Sequence, residues 1–200
     1  AQEIFDKMLR LQFVATKESW TALLNSYKDA GDAKKSCQLL LEMKRKGVSP
    51  DKEIYTLVLQ SCIHAHHLPG CKKIIHEMQR RNIQISVDLY NEVIKAYCTP
   101  CKTGMDEASK NTASAMKTSS IFKVDIDGAM YFYSSIKKHG LRPTLATFIN
   151  LFHGCGRAKH LKLLHTLYSD LKKVEHELEP DLPTYESYLF GLVRCRKYFI

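Results

Sequence analysis

Cys98-Thr99-Pro100-Cys101 is the only Cys-x-x-Cys in the chain, and two thiolates at that spacing can hold two corners of a tetrahedral zinc site. The preceding turn, with His64, His66 and His67, and the following one, with His160, carry the side chains that would complete it. A second pair at the same spacing is missing, so the sequence supplies half a site, and neither a metal nor any other cofactor is expected. No Gly-rich phosphate loop, nucleophile elbow or two-metal acid cluster occurs, and the chain is read as non-enzymatic. What the composition favours is charge: 30 Lys plus Arg against 21 Asp plus Glu give +9, a balance that suits polyanionic partners. Part of that charge has a local use. Lys44, Arg45, Lys46, Arg80, Arg81, Lys137 and Lys138 fall in the last turns of expected helices, where cations offset the carbonyl end of the helix dipole. Cys62, Cys71 and Cys155 occupy apolar positions, where a reduced thiol acts as a small hydrophobe and a reducing compartment is implied. No apolar stretch is long enough to span a bilayer, so no membrane contact is expected.

Two apolar patterns position these side chains. The first reads Trp20, Leu23, Leu24, Tyr27, and returns as Tyr55, Val58, Leu59, Cys62, then Tyr90, Val93, Ile94, Tyr97, then Phe148, Leu151, Phe152, Cys155, then Tyr185, Tyr188, Leu189, Leu192. The second alternates with it: Ala1, Ile4, Phe5, Met8; Ser36, Leu39, Leu40, Met43; Cys71, Ile74, Ile75, Met78; Ala129, Phe132, Tyr133, Ile136; Leu164, Leu167, Tyr168, Leu171. Each group follows i, i+3, i+4, i+7, one stripe of an α-helix. Trp20, Tyr55 and Tyr90 are spaced 35 residues apart, and Gly47-Val48-Ser49-Pro50-Asp51 and Gly140-Leu141-Arg142-Pro143-Thr144 punctuate the array. Glycine ends a helix in the left-handed region and proline cannot continue one. Neither helix of a pair buries its stripe alone, so the pairs must stack.

A tetratricopeptide reading fits Trp20, Leu23 and Tyr27, but that family's period is 34 and its small residue is replaced here by Leu24. The pattern as a whole resembles the pentatricopeptide repeat family. That resemblance implies an all-α, right-handed superhelical solenoid of antiparallel helix pairs. It divides the chain into the second helix of a partial repeat (1–16), repeats at 17–51, 52–86, 87–144 and 145–181, and the first helix of another (182–200). Ends that fall inside repeats leave unpaired apolar stripes and are read as those of an internal piece of a longer protein or of a piece docked on neighbours. The repeat at 87–144 holds an insertion at about 102–124, rich in Ser, Thr, Ala and Lys, which is expected to lie on the solenoid edge or be held by a partner.

The resemblance also implies a function: single-stranded RNA lies along the first helices, about one base per repeat. The family's base-reading positions are the residue after the first-helix aromatic and the last residue of the repeat. Here they are Thr21 with Asp51, a pairing the family associates with guanine, Thr56 with Ser86, Asn91 with Thr144, and Ile149 with Asp181. Isoleucine cannot hydrogen-bond a base, so the fourth pair departs from the pattern. Two residues before each aromatic, where the family places an aliphatic side chain, stand Glu18, Glu53, Asp88, Ala146 and Pro183. Three carboxylates there forfeit stacking surface and repel phosphates, although acids also suit the first turn of a helix. Arg157, with Lys159, Lys162, Arg194, Arg196 and Lys197, lies near helical turns within reach of phosphates. The expected partners are messenger or ribosomal RNA and other proteins of a large ribonucleoprotein, in a mitochondrion by family resemblance. The competing reading is a protein–protein scaffold whose groove reads no RNA.

Overall fold

The computed structural model describes residues 2–11, 13, 15–100, 124–174 and 178–195. Ala1, Cys101, Arg196, Lys197 and nearly all of the expected insertion lie outside the described residues, so the expectations placed on them are neither met nor overturned. Among the described residues the fold is all-α, ten helices without a strand. They fall into two compact units, residues 1–86 and 87–200.

The first unit contains α1 (Gln2–Arg10), α2 (Lys17–Ala30), α3 (Ala33–Arg45), α4 (Lys52–His64) and α5 (Leu68–Arg80). Side chains fix where they start: Asp32 accepts the Lys35 N–H at 3.0 Å and Asp51 accepts the Ile54 N–H at 3.1 Å, each satisfying an amide that the helix leaves open. At the end of α3 the Val48 N–H reaches back to the Met43 carbonyl at 3.1 Å across Gly47, whose φ of 76° only glycine adopts freely. Asn82 does the same work after α5 at φ 56°, with the Ile83 N–H on the Met78 carbonyl at 2.9 Å. Trp20, Leu24, Leu40, Met43, Tyr55, Leu59, Ile75 and Met78 are buried together, as their stripes require, and Phe5 meets Trp20 edge-on at 4.8 Å. Ser36 and Ser61 share a buried hydrogen bond of 2.7 Å between α3 and α4, so the serine in the second-helix stripe is satisfied.

The second unit contains α6 (Val87–Cys98), α7 (Ile126–Lys138), α8 (Leu145–Ala158), α9 (Leu161–Val174) and α10 (Leu182–Cys195). Tyr90, Phe132, Phe148 and Phe152 form its buried aromatic core. The stripes of the two terminal helices stay partly open, as the sequence implies for ends that fall inside repeats. Ile4 of α1 is 76% exposed, and on α10 Tyr185 and Leu189 are exposed while Thr184, Ser187, Gly191 and Cys195 are buried. The reason on α10 is close backbone approach: a Cβ on Gly156 would lie 2.8 Å from the Gly191 Cα. The helix therefore turns its small residues, not its apolar ones, towards α8.

One polar motif occurs in both units. In the first, Glu77 of α5 accepts from the Tyr55 hydroxyl at 2.9 Å and pairs with Lys44 of α3 and with Arg81 at 3.5 Å. In the second, Asp170 of α9 takes Lys137 of α7 at 2.7 Å, the Tyr133 hydroxyl at 3.2 Å and Lys173 at 3.3 Å. Each acid thus clasps one second helix to the next. Burial opposes the charged form of Glu77, but the bonds from Lys44 and Tyr55 more than offset it and hold the carboxyl below its usual range; Asp170 is lowered in the same way by Lys137. Carboxyls with depressed folded values stabilise the fold above their unfolded titration range and lose that contribution as pH falls through the folded value. The melting temperature is therefore expected to drop as pH falls below the usual carboxylate range, with a smaller drop in Glu77→Gln. An equal drop in parent and variant would remove the clasp from the pH response.

Candidate nucleic-acid interface

The base-reading positions of the first unit lie on α2 and at the start of α4, and Lys17 connects them. Thr21 donates its hydroxyl to the Lys17 carbonyl at 3.0 Å, and the Lys17 ammonium pairs with Asp51 and, at 3.3 Å, with Glu53. Asp51 is at once the N-cap of α4 and the partner of Lys17. Burial works against its ionised form, while the Lys17 ammonium and the Ile54 N–H lower its pKa below the usual value. Thr56 bonds the Lys52 carbonyl at 2.8 Å, so both threonine hydroxyls point back along their own helices. Asp51, Lys52, Glu53, Thr56 and Leu57 line an open depression. Ser86, the expected companion of Thr56, is exposed at the end of the unit.

In the second unit the structure brings one expected pair into direct contact. The Asn91 amide donates to the Thr144 hydroxyl at 2.9 Å, and the Thr147 hydroxyl donates to the Asn91 carbonyl oxygen at 2.6 Å. Asn150 adds a 3.3 Å bond to the Asn91 backbone carbonyl. Asn91 is only 7% exposed, so its side chain ties α6 to the N-terminus of α8, where Thr144 and Thr147 form a capping box. Ile149 is half-buried, and Asp181 caps α10 by accepting the Thr184 N–H at 3.0 Å and its hydroxyl at 2.5 Å. Arg157, placed among the phosphate contacts by its position, is half-buried and donates to the Cys98 carbonyl at 2.9 Å, closing the end of α6.

The acids fall where the sequence puts them, Glu18, Glu53 and Asp88 all exposed in first turns. A hydrogen bond from its own backbone N–H, then one from Thr16, lowers the Glu18 carboxyl, so it stays charged at neutral pH. Cys98, half of the zinc motif, is buried and its thiol is pushed up to about 12, first by burial and then by the neighbouring Cys155. Its partner Cys101 is undescribed, and among the described residues no three His, Cys, Asp or Glu side chains gather as a metal would need. Two features were missed from sequence, the Lys17 bridge and the Asn91–Thr144–Thr147 network. Lys17 standing 34 residues before Asp51 was the available signal for the first, since that separation is nearly one repeat and sets neighbouring helix starts side by side.

Helix pairs of one recurring pattern define an α-helical repeat protein. The family described as "Pentatricopeptide repeat-containing protein" matches residues 1–108, and the chain belongs to it. It is similar to a pentatricopeptide repeat-containing protein of Arabidopsis thaliana, 27% identical over 177 residues, covering 84% of this chain and 23% of that protein. It is also similar to the Arabidopsis thaliana small ribosomal subunit protein mL103 (rPPR7), 23% identical over 211 residues, covering 98% of this chain and 50% of that protein. The chain thus spans half or less of these relatives. The crystal structure of the maize pentatricopeptide repeat protein PPR10 superposes with a TM-score of 0.50 at 18% identity, covering 96% of this chain and 28% of that one, a likeness of fold.

Proposed function

We propose that this chain is an RNA-binding part of an organellar ribonucleoprotein, mitochondrial by preference, that holds messenger or ribosomal RNA chiefly through phosphates and reads little sequence. The engagement of the base-reading side chains carries this reading: Asp51 is held by Lys17 and its own helix, and Asn91 is held by Thr144 and Thr147. A base edge would have to replace those bonds rather than fill vacant ones, and exchanging one hydrogen bond for another leaves little net gain. The names of relatives support the setting, since mL103 is a ribosomal subunit protein and others are labelled mitochondrial or chloroplastic. The exposed carboxylates of Glu18, Glu53 and Asp88 favour the second reading, a scaffold for protein partners whose groove binds no RNA.

Binding of single-stranded RNA with and without guanine, at stated salt, separates these. Thr21→Ala and Asp51→Ala are expected to change both affinities alike and only slightly, while Asp51→Ala lowers stability by about 1 kcal/mol through loss of the α4 cap. A loss of about 1–3 kcal/mol confined to guanine-containing RNA would restore base reading at this pair. No binding of any RNA would leave the scaffold.

A further inference from the structure

Positive charge in the first unit gathers on α3 and α5, while α1 sets Lys7 and Arg10 against Glu3 and Asp6. On α3, Lys34, Lys35, Lys44 and Arg45 stand against Glu42 alone, and on α5, Lys72, Lys73 and Arg80 stand against Glu77 alone. The first helices balance, with Lys17 and Lys28 against Glu18 and Asp29 on α2, and Lys52 against Glu53 on α4. The acids of the second helices are already engaged, Glu42 by Lys46 at 3.6 Å and Glu77 by Lys44 and Arg81, while Asp32 holds Lys35 at 3.1 Å. That leaves Lys34, Arg45, Lys73 and Arg80 exposed and without an ion pair among the described residues, Lys34 acting on Asp32 only through its charge.

These four sit on adjacent helices. Lys44 joins α3 to α5, and the charge of Lys73 reaches the Cys37 thiol of α3, where it opposes the effects of the Cys62 contact and of burial. Arg45 and Arg80 occupy the same position in successive repeats. Neither α3 nor α5 contains a Phe, Tyr or Trp, so this face offers none of the aromatic platforms on which unpaired bases stack. Fixed cations on two helices joined by the Lys44–Glu77 ion pair suit a regular phosphate backbone whose bases are turned inward.

We infer that the outer face of α3 and α5 is a docking surface for double-helical RNA, bound through its phosphates by Lys34, Arg45, Lys73 and Arg80. The inference rests on the RNA-binding reading above and places the contact on the second helices, away from the groove residues.

The test uses the full 200-residue chain, a generic RNA duplex of about 16 base pairs, a single strand of the same length, and titrations across salt. The variant Lys34→Gln, Arg45→Gln, Lys73→Gln, Arg80→Gln is compared with one that removes four exposed cations elsewhere, Lys7→Gln, Lys95→Gln, Lys138→Gln, Lys172→Gln. Duplex affinity of the first variant is expected to fall at least about tenfold and its salt dependence to flatten by about three to four units, since each of the four lost phosphate contacts removes close to one. The second variant should change far less. Arg45→Gln with Arg80→Gln alone should give about half of the flattening, which keeps the test valid should the fourfold variant lose helicity. Equal losses in the two fourfold variants, or displacement of the duplex by polyglutamate at matched charge, would overturn the inference. An unaffected single strand with a weakened duplex supports it. A parent chain that binds neither RNA defeats the RNA-binding reading itself.

Discussion

Phe132→Ala should cost about 3–5 kcal/mol, the range for truncating a buried aromatic ring. The ring is fully buried and packs edge-on against Tyr97 and Tyr131, each at 5.2 Å, and tilted against Tyr90 at 6.5 Å. No neighbour can collapse into the space without leaving its own stripe, so both the transfer and the cavity contributions to the loss are felt. A repeat protein depends on contacts between neighbouring helices, so this loss should fall on α6, α7 and α8. Hydrogen exchange would then show faster opening in these three helices, with protection in 17–80 close to the parent's. Uniform loss of protection through both units would mean that the chain unfolds as one cooperative body.

Gly154→Ala is the second large effect, and its sign is informative. In an ordinary helix interior, alanine is about 1 kcal/mol better than glycine. Here the new methyl would lie 2.4 Å from the Cys98 sulfur and 3.1 Å from the Ile126 Cδ1, and overpacking of that kind costs about 1–3 kcal/mol. A net loss is therefore expected. Cys98→Ala removes the sulfur that the methyl meets, so the double variant should recover most of the loss, with a coupling of about 0.5–3 kcal/mol. Denaturant titration of the four proteins gives that coupling directly. Additive effects would show that α6 and α8 separate at little cost. The same contact wedges the Cys98 sulfur between α6 and α8.

Most of the helices were legible because their apolar stripes and their burial have the same cause. Trp20, Leu23, Leu24 and Tyr27, and the matching groups of α4, α6 and α8, are all buried. On α10 the correspondence fails because Gly191 against Gly156 sets the approach angle, and hydropathy patterning counts glycine as neutral. The site was legible in a different way. The family resemblance put Thr21, Asp51, Asn91 and Thr144 at the first-helix and repeat-end positions, but spacing carries no information on what a side chain already holds. Asn91 looks like a polar residue for a ligand and is a 7% exposed tie between two helices. Arg157 looks like a phosphate contact and closes the end of α6. A polar residue that sits one repeat from another polar residue has an internal partner within reach, and that partner competes with any ligand.

The clasps bear on how such an array can lengthen. Lys44 precedes Glu77 by 33 residues and Lys137 precedes Asp170 by 33. Glu42 stands in the first repeat where Glu77 stands in the second, 35 residues apart. A tandem duplication of residues 17–51 would set Lys44 33 residues ahead of the copied Glu42, and the copied Lys44 33 residues ahead of Glu77. Each new junction would be born with its own ion pair, needing no compensating mutation. Insertions of any other length at that point would misalign the charges as well as the apolar stripes. The joint is therefore inherited with the repeat, and a gene that grows by whole units carries its own fastening.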